Sequence, residues 1–312
     1  MLHLNKKILV KTTPDLYQYS THCPNTKGHQ YNNRMESLNN TTPHITSVDI
    51  DEQVYRSDGA IAASDLKYAI DHGLEAFNIY KYGKNNPPRI ATPAMKFGSL
   101  VHKFCLEETT FHQKYGLLNE KRTKAGKAAA SAMQQLGMET YTTPELENCI
   151  AIKKALSENE FANKYIIQDT LTDTRGLAEQ SFWWKHRETG LQCKCRCDYF
   201  IDDMVIDLKT TGEGGAAPDV FTRTIVNFKY HLQAAHYLQG TGAKRFIFVA
   251  VEKVHPFSVG VYELSPHFIE RGYELQEQTL SDIKAAQESG IWAGYTDQAP
   301  EGIKTLTPPK WA

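Results

Sequence analysis

Three short β-rich runs, 177–184, 192–200 and 205–209, follow one another with only turns between them. Glu188-Thr189-Gly190 and Asp202-Asp203 supply the turn chemistry, and the runs carry the β-branched and aromatic residues that suit a pleated surface. Such a meander must bury at least one face, and helical patterns stand on both sides of it. Periodic segments at about 64–80, 94–108, 126–137 and 144–160 precede it, and others at about 227–240 and 266–289 follow. Ser64 reads as the first helix's N-cap, and Ser265-Pro266 as the N-cap and first residue of the last, which Gly290 ends. Two more strands, 245–252 and 258–264, lie between the last two helices, and a Gly-rich loop occupies 212–217. The expected architecture is α/β, a mixed β-sheet flanked by helices.

The 312 residues are 41% hydrophobic and 23% charged, which fits a globular chain with a sizeable core and excludes a mainly disordered one. Lys+Arg of 35 against Asp+Glu of 36 leaves a net charge of −1, so a nucleic-acid partner must meet a local basic patch rather than a global field. The longest apolar run, Phe246 to Val251, is far too short to span a membrane. The opening MLHLNKKILVK lacks the apolar stretch of a secretory signal. Six cysteines (23, 105, 149, 193, 195 and 197) do not make a disulfide framework in a chain this long. A cytoplasmic protein with reduced thiols is expected. Residues 1–58, rich in Asn, Thr and His over 17–47, read as a poorly ordered or accessory arm, and 59–312 as one domain.

The chemistry concentrates in Val205-Ile206-Asp207-Leu208-Lys209. Alternation sends Ile206 and Leu208 to the core and puts Asp207 and Lys209 together on the other face. A carboxylate there can hold a hard divalent cation, and an ammonium beside it can stabilise charge developing on a phosphate. Asp-x-Lys occurs three times, however, and the copies at 65–67 and 282–284 sit in helical contexts that read as solvated faces. Asp198 lies on the preceding strand, and a hairpin would bring it beside Asp207 to form a two-carboxylate metal site. Cys193, Cys195 and Cys197 alternate on that strand, about 6.5 Å apart, too far for three thiolates to close on one zinc without a bulge. Buried structural cysteines are expected, with no zinc. His102 sits on a helix one turn after Gly98 and Ser99, which leave room for an ion, although the residue taken alone reads better as a satisfied helix histidine. Gln233 and Tyr237, four apart on a helix, could grip a nucleotide or form an ordinary amphipathic surface.

In this order, these residues resemble the PD-(D/E)XK nuclease superfamily and its RecB-like branch. More narrowly, GSLVHKFCLEE, AEQSFWW, TGLQCKCRCD, VIDLKTT and NFKYHLQAAHYLQG resemble the C-terminal nuclease domain of exodeoxyribonuclease VIII-type (RecE-like) enzymes over about residues 60–290. The resemblance implies that His102, Asp198 and Asp207 ligate Mg²⁺ or Mn²⁺, joined by the Leu208 carbonyl. It makes Lys209 the catalytic lysine, Gln233 and Tyr237 accessory residues, and Glu179 an acid at the edge of the site, either an outer metal ligand or a residue near the DNA end. Cys197 stands where the motif's name has proline, a variation the superfamily tolerates. Related iron–sulfur nucleases use cysteines after the Gln/Tyr helix; none follows Cys197, so no cluster is expected. The implied activity is a metal-dependent exodeoxyribonuclease of phage or prophage type in a bacterial host cytoplasm. It would degrade linear double-stranded DNA 5′→3′, release mononucleotides and leave 3′ single-stranded tails for recombination. A single-strand annealing (RecT-like) partner and a homo-oligomeric ring, a tetramer, come with the same resemblance. Lys121, Arg122, Lys124, Lys127 and Arg223 are candidate DNA contacts, or plain solvated charges. A structure- or end-specific endonuclease and an inactive DNA-end-binding module are the alternatives on the same fold.

Overall fold

The three runs form the meander: β4 (Leu177–Lys185), β5 (Gln192–Ile201) and β6 (Met204–Thr211), each antiparallel to the next. The computed structural model describes residues 46–48, 50–83, 91–120, 122–168, 176–297 and 299–308. Asp202 and Asp203 both take positive φ, 48° and 58°, which gives the two-residue turn a twist that matches the strands it joins. After β6 the chain leaves the sheet and returns as β7 (Arg245–Glu252), parallel to β6, and β8 (Val259–Glu263) closes the edge antiparallel to β7. With β1 (Thr46–Val48) antiparallel on β4, the mixed sheet runs β1-β4-β5-β6-β7-β8.

Helices cover both faces, as the patterning requires. Against one face lie α3 (Pro93–Leu106), α4 (Glu108–Lys114) and α6 (Thr143–Glu158), whose Leu100, Val101, Cys105, Phe111, Ile152 and Leu156 bury against Ile206 and Leu208 of β6 and Ile247, Val249 and Val251 of β7. Against the other lie α7 (Pro218–Asn227), α8 (Tyr230–Thr241) and, over α8, α9 (Pro266–Ser289), with α2 (Ala63–Tyr82) packed on α8 and α9. The rings of Phe221 and Tyr230 pack on Phe248 of β7, and Trp184 of β4 on His236 of α8. A small parallel pair, β2 (Tyr115–Leu117) and β3 (Glu139–Tyr141), brackets α5 (Lys124–Gln135). No helix among the described residues is long and apolar enough to cross a membrane.

Four expectations change. Part of the stretch expected to be an arm, 1–58, belongs to the domain: Thr46–Val48 extend the sheet and Glu52–Ser57 form α1, whose neighbourhood is tied down by β5. Lys194 Nζ donates to the carbonyls of Tyr55 (2.5 Å) and Asp58 (2.8 Å), and Arg196 to that of Ile50 (2.6 Å), with both cations 4.6 Å from the centre of the Tyr55 ring. Residues 1–45 lie outside the described residues. The first helix is capped at Ala62 rather than Ser64, because the Asp65 carboxylate accepts the Ala62 N–H at 2.9 Å. Asp65-Leu66-Lys67 is no solvated face: Asp65 is buried and pairs with Lys81 at 2.6 Å. Finally, the helix expected at about 227–240 starts at Tyr230 as α8, and a helix that was not expected, α7, precedes it. Pro218 starts α7 directly after the Gly-rich loop, and Lys229, at φ 51°, breaks the chain before α8.

Gly272 on α9 sets how closely α8 and α9 approach, since a Cβ there would lie 2.2 Å from the His231 carbonyl. In an open helix Gly→Ala stabilises by about 1 kcal/mol. Here Gly272→Ala should destabilise by about 1–3 kcal/mol, read as a lowered urea midpoint with an unchanged slope.

Candidate active site

The sheet's hydrogen bonding stops where its acids begin. The β5–β6 ladder pairs Ile201 with Met204, Phe200 with Val205 and Tyr199 with Ile206, then ends, so Asp198 and Asp207 are not ladder partners. In place of a ladder bond the Leu208 N–H donates to Asp198 Oδ2 at 2.9 Å. The β4–β5 ladder also skips the Glu179–Asp198 step, and Glu179 has φ 50°, a left-handed conformation that a glutamate in a strand rarely adopts. Non-glycine residues held there mark places the surrounding structure over-determines, often functional ones. The turn aims Glu179 at Asp198.

His102 reaches the same point from α3. Its Nε2 donates to the Leu208 carbonyl at 2.6 Å, and a carbonyl can only accept, so in the neutral ring Nδ1 carries the lone pair. That nitrogen faces Asp198 Oδ2 at 3.6 Å. One ligand atom each from His102, Glu179 and Asp198 lies within 4.8 Å of the others. Electron-pair donors converging in this way can hold a cation between them, and a nitrogen with carboxylate oxygens suits a hard divalent ion. Burial, then the Asp198 charge, pushes the Glu179 carboxyl up to about 7.

Asp207 sits next to this cluster, almost wholly buried, and is held differently. Gln233 Nε2 of α8 donates to its Oδ1 at 2.6 Å, and the Lys209 ammonium pairs with Oδ2. Among the described residues Oδ2 meets that ammonium and no hydrogen-bond donor of good geometry, which leaves it a lone pair for a cation. Burial and the Asp198 charge raise the Asp207 pKa, with Lys209 opposing them. Burial would lower the pKa of Lys209, but Asp207 and Asp198 more than offset it and hold the amine raised, hence protonated at neutral pH. Tyr237 is half-buried on α8 one turn beyond Gln233.

The predicted residues therefore separate into two groups. His102, Asp198 and Glu179 converge as candidate ligands, with Glu179 inside the cluster rather than at its edge. Asp207, Lys209 and Gln233 form an adjoining charge pair and amide, and the Leu208 carbonyl is engaged by the histidine. Missed from the sequence were Lys67, whose ammonium donates to Gln233 Oε1 at 2.9 Å, and Tyr230, whose ring lies 4.9 Å from Lys67 Nζ and 5.1 Å from that of Lys209. Arg122, Lys124 and Lys127 at the start of α5 and Arg223 on α7 are exposed and line neither recess beside the site; Lys121 falls outside the described residues. Cys193, Cys195 and Cys197 are free and buried, and burial raises the thiols of Cys193 and Cys197.

The site opens on two recesses. One of about 520 Å³ is lined by Lys67, Lys81, Lys194, Gln233 and Tyr237, and one of about 560 Å³ by Ser99, His102, Lys103 and Asp198; Glu179 and Arg196 border both.

A mixed sheet covered by helices on both faces, with acids and a lysine where two central strands part, is the core of PD-(D/E)XK nucleases. Residues 70–301 match the family described as PDDEXK-like domain of unknown function (DUF3799), and the chain belongs to that family. A crystal structure from Eubacterium rectale, of a protein provisionally described as an exonuclease, has this fold. It aligns with a TM-score of 0.56 at 15% identity, covering 84% of this chain and 96% of that one. A second structure, SSO0001, aligns with a TM-score of only 0.26 at 17% identity, over 67% of this chain and 98% of that one, and carries no argument. No curated protein matches the chain.

A carboxyl whose pKa is raised in the fold binds its proton more tightly folded than unfolded. Ionising Glu179 therefore destabilises the metal-free protein progressively as pH rises from 4.5 to about 7. A cation must displace that proton. Mn²⁺ affinity measured by calorimetry should accordingly climb between pH 6 and 7.5 and level off above, and Glu179→Gln should bind more weakly with a flatter profile.

Proposed function

We propose that this protein is a divalent-metal-dependent exodeoxyribonuclease that degrades linear double-stranded DNA from its ends. The observation that carries the reading is the convergence of His102, Glu179 and Asp198 beside the buried Asp207–Lys209 pair. Mg²⁺ or Mn²⁺ fits this donor set, and Asp207 Oδ2 is the further oxygen available to it. A cation held there supplies Lewis-acid polarisation of a phosphoryl oxygen and a more acidic water.

The chain's own residues do the rest. Lys209, kept protonated by Asp207 and Asp198, is a hydrogen-bond donor and fixed positive charge rather than a base. It is placed to orient the attacking water and to offset charge building on the phosphorane oxygens. Gln233 holds Asp207 by one oxygen, so the carboxylate cannot rotate as charge redistributes. Recesses of about 520 and 560 Å³ on either side give room for the nucleotides flanking the scissile phosphate. The order and content of the five sequence blocks support the finer reading: 5′→3′ polarity, mononucleotide products, a 3′ tail, a ring-shaped homotetramer and an annealing-protein partner.

Linear duplex labelled at the 5′ or 3′ end, with a covalently closed circle as control, tests this in Mg²⁺, Mn²⁺ and EDTA. Early mononucleotide release from the 5′ label, an intact circle and no reaction in EDTA are expected. Lys209→Ala should lose at least about 100-fold in rate while still binding Mn²⁺. Cutting of the circle would make the protein an endonuclease, and DNA-end binding without cleavage under any metal would make it a binding module.

A further inference from the structure

We infer that Lys67 of α2 is a positioning residue of this site, acting through the Gln233 amide to aim one oxygen of Asp207 at the cation. The inference rests on the metal-dependent nuclease reading and adds a residue that the motif does not contain.

The geometry is a chain of three groups from three elements. Lys67 Nζ on α2 donates to Gln233 Oε1 on α8 at 2.9 Å, and Gln233 Nε2 donates to Asp207 Oδ1 on β6 at 2.6 Å. The two ends of a glutamine amide have nearly the same shape, so what each end meets decides its orientation. An ammonium has only donors and a carboxylate only acceptors. With a cation at one end and an acid at the other, the amide has a single satisfied orientation. Oδ1 is thereby occupied, and Oδ2 is left for Lys209 and a metal.

Two features argue against an incidental contact. Burial, followed by the Lys209 charge, lowers the Lys67 pKa to about 7, so the amine is charged in only part of the molecules at neutral pH, but it can donate to Gln233 Oε1 in either form. The Tyr230 ring also faces both ammonium groups, at 4.9 Å from Lys67 Nζ and 5.1 Å from Lys209 Nζ, and its π-face stabilises two neighbouring cations that would otherwise only repel. Asp65, two residues earlier and so on another side of the helix, is committed to Lys81 and the Ala62 N–H, and Asp71, one turn on, pairs with Lys229 while its charge also favours protonated Lys67.

A residue that acts through another gives a specific signature in a double-mutant cycle. Mn²⁺ affinity by calorimetry would be measured for wild type, Lys67→Met, Gln233→Leu and the double variant, alongside kcat and KM on end-labelled linear duplex. Each single change should weaken Mn²⁺ binding about 10-fold, and the double variant should be no weaker than the worse single. Lys67→Arg should regain most of the loss. In cleavage, Lys67→Met should lower kcat with KM for DNA within about twofold. Mn²⁺ losses that multiply in the double variant, a raised KM with kcat intact (Lys67 touching DNA directly), or no change in either quantity would overturn the inference. If Lys67→Met does not fold, Lys67→Gln carries the same comparison. Should wild type bind Mn²⁺ but cut no DNA, the nuclease reading fails while the Mn²⁺ cycle still decides the role of Lys67.

Discussion

Everything at this site depends on three carboxylates brought close together where the sheet's own hydrogen bonds give out. Glu179, Asp198 and Asp207 come from three successive strands that are paired elsewhere and part at this level. A continuous ladder would hold neighbouring strands in register but would leave no backbone groups to serve the site. The parting frees the Leu208 N–H for Asp198 and its carbonyl for His102, so one residue's backbone links helix, strand and acid. Burial disfavours their charged forms and the Asp198 charge repels them, so Glu179 and Asp207 both keep their protons to higher pH than usual. The fold tolerates that repulsion because its two packed faces contribute far more than the site takes away.

Those faces divide the labour. The α3/α4/α6 face delivers His102 on a helix anchored by Leu100, Val101 and Cys105, and the α8/α9 face delivers Gln233 on a helix buried around most of its circumference. Lysines provide the counter-charge from the second side: Lys209 directly against Asp207, and Lys67 one amide further out. The acids are thus bracketed by an imidazole on one face and two ammonium groups on the other. Lys194 and Arg196, which share β5 with Asp198, are spent on the carbonyls that fasten residues 50–58, so a strand that looks basic from its sequence contributes less free charge to a ligand than it suggests.

Much of this was legible beforehand, for identifiable reasons. Period-two alternation placed Ile206 and Leu208 in the core and Asp207 with Lys209 opposite, and both core residues are about 1% exposed. Ser265-Pro266 and Gly290 marked the last helix to the residue because caps are local chemistry. Lys67 was misread for the converse reason. Asp-x-Lys on a helix looks like a solvated pair by its neighbours in sequence, and only the packing of α2 on α8, 166 residues away, turns the lysine inward. Glu179 was placed at the edge because nothing in AEQSFWW announces a positive φ. Thr46–Val48 read as part of an arm because so short a strand shows no pattern until β4 offers it an edge.

The sequence by itself determined the alternation of strands and helices, the acids and the lysine in their order, and the family those residues belong to, since each is written in spacing and local propensity. Tertiary structure alone decided which carboxylates meet, which oxygen of Asp207 the Gln233 amide holds and which faces Lys209, and which cations are spent on backbone carbonyls. Those depend on where strands stop pairing and on side chains far apart in the chain, and both follow from the global packing that sets the distances over which charge acts.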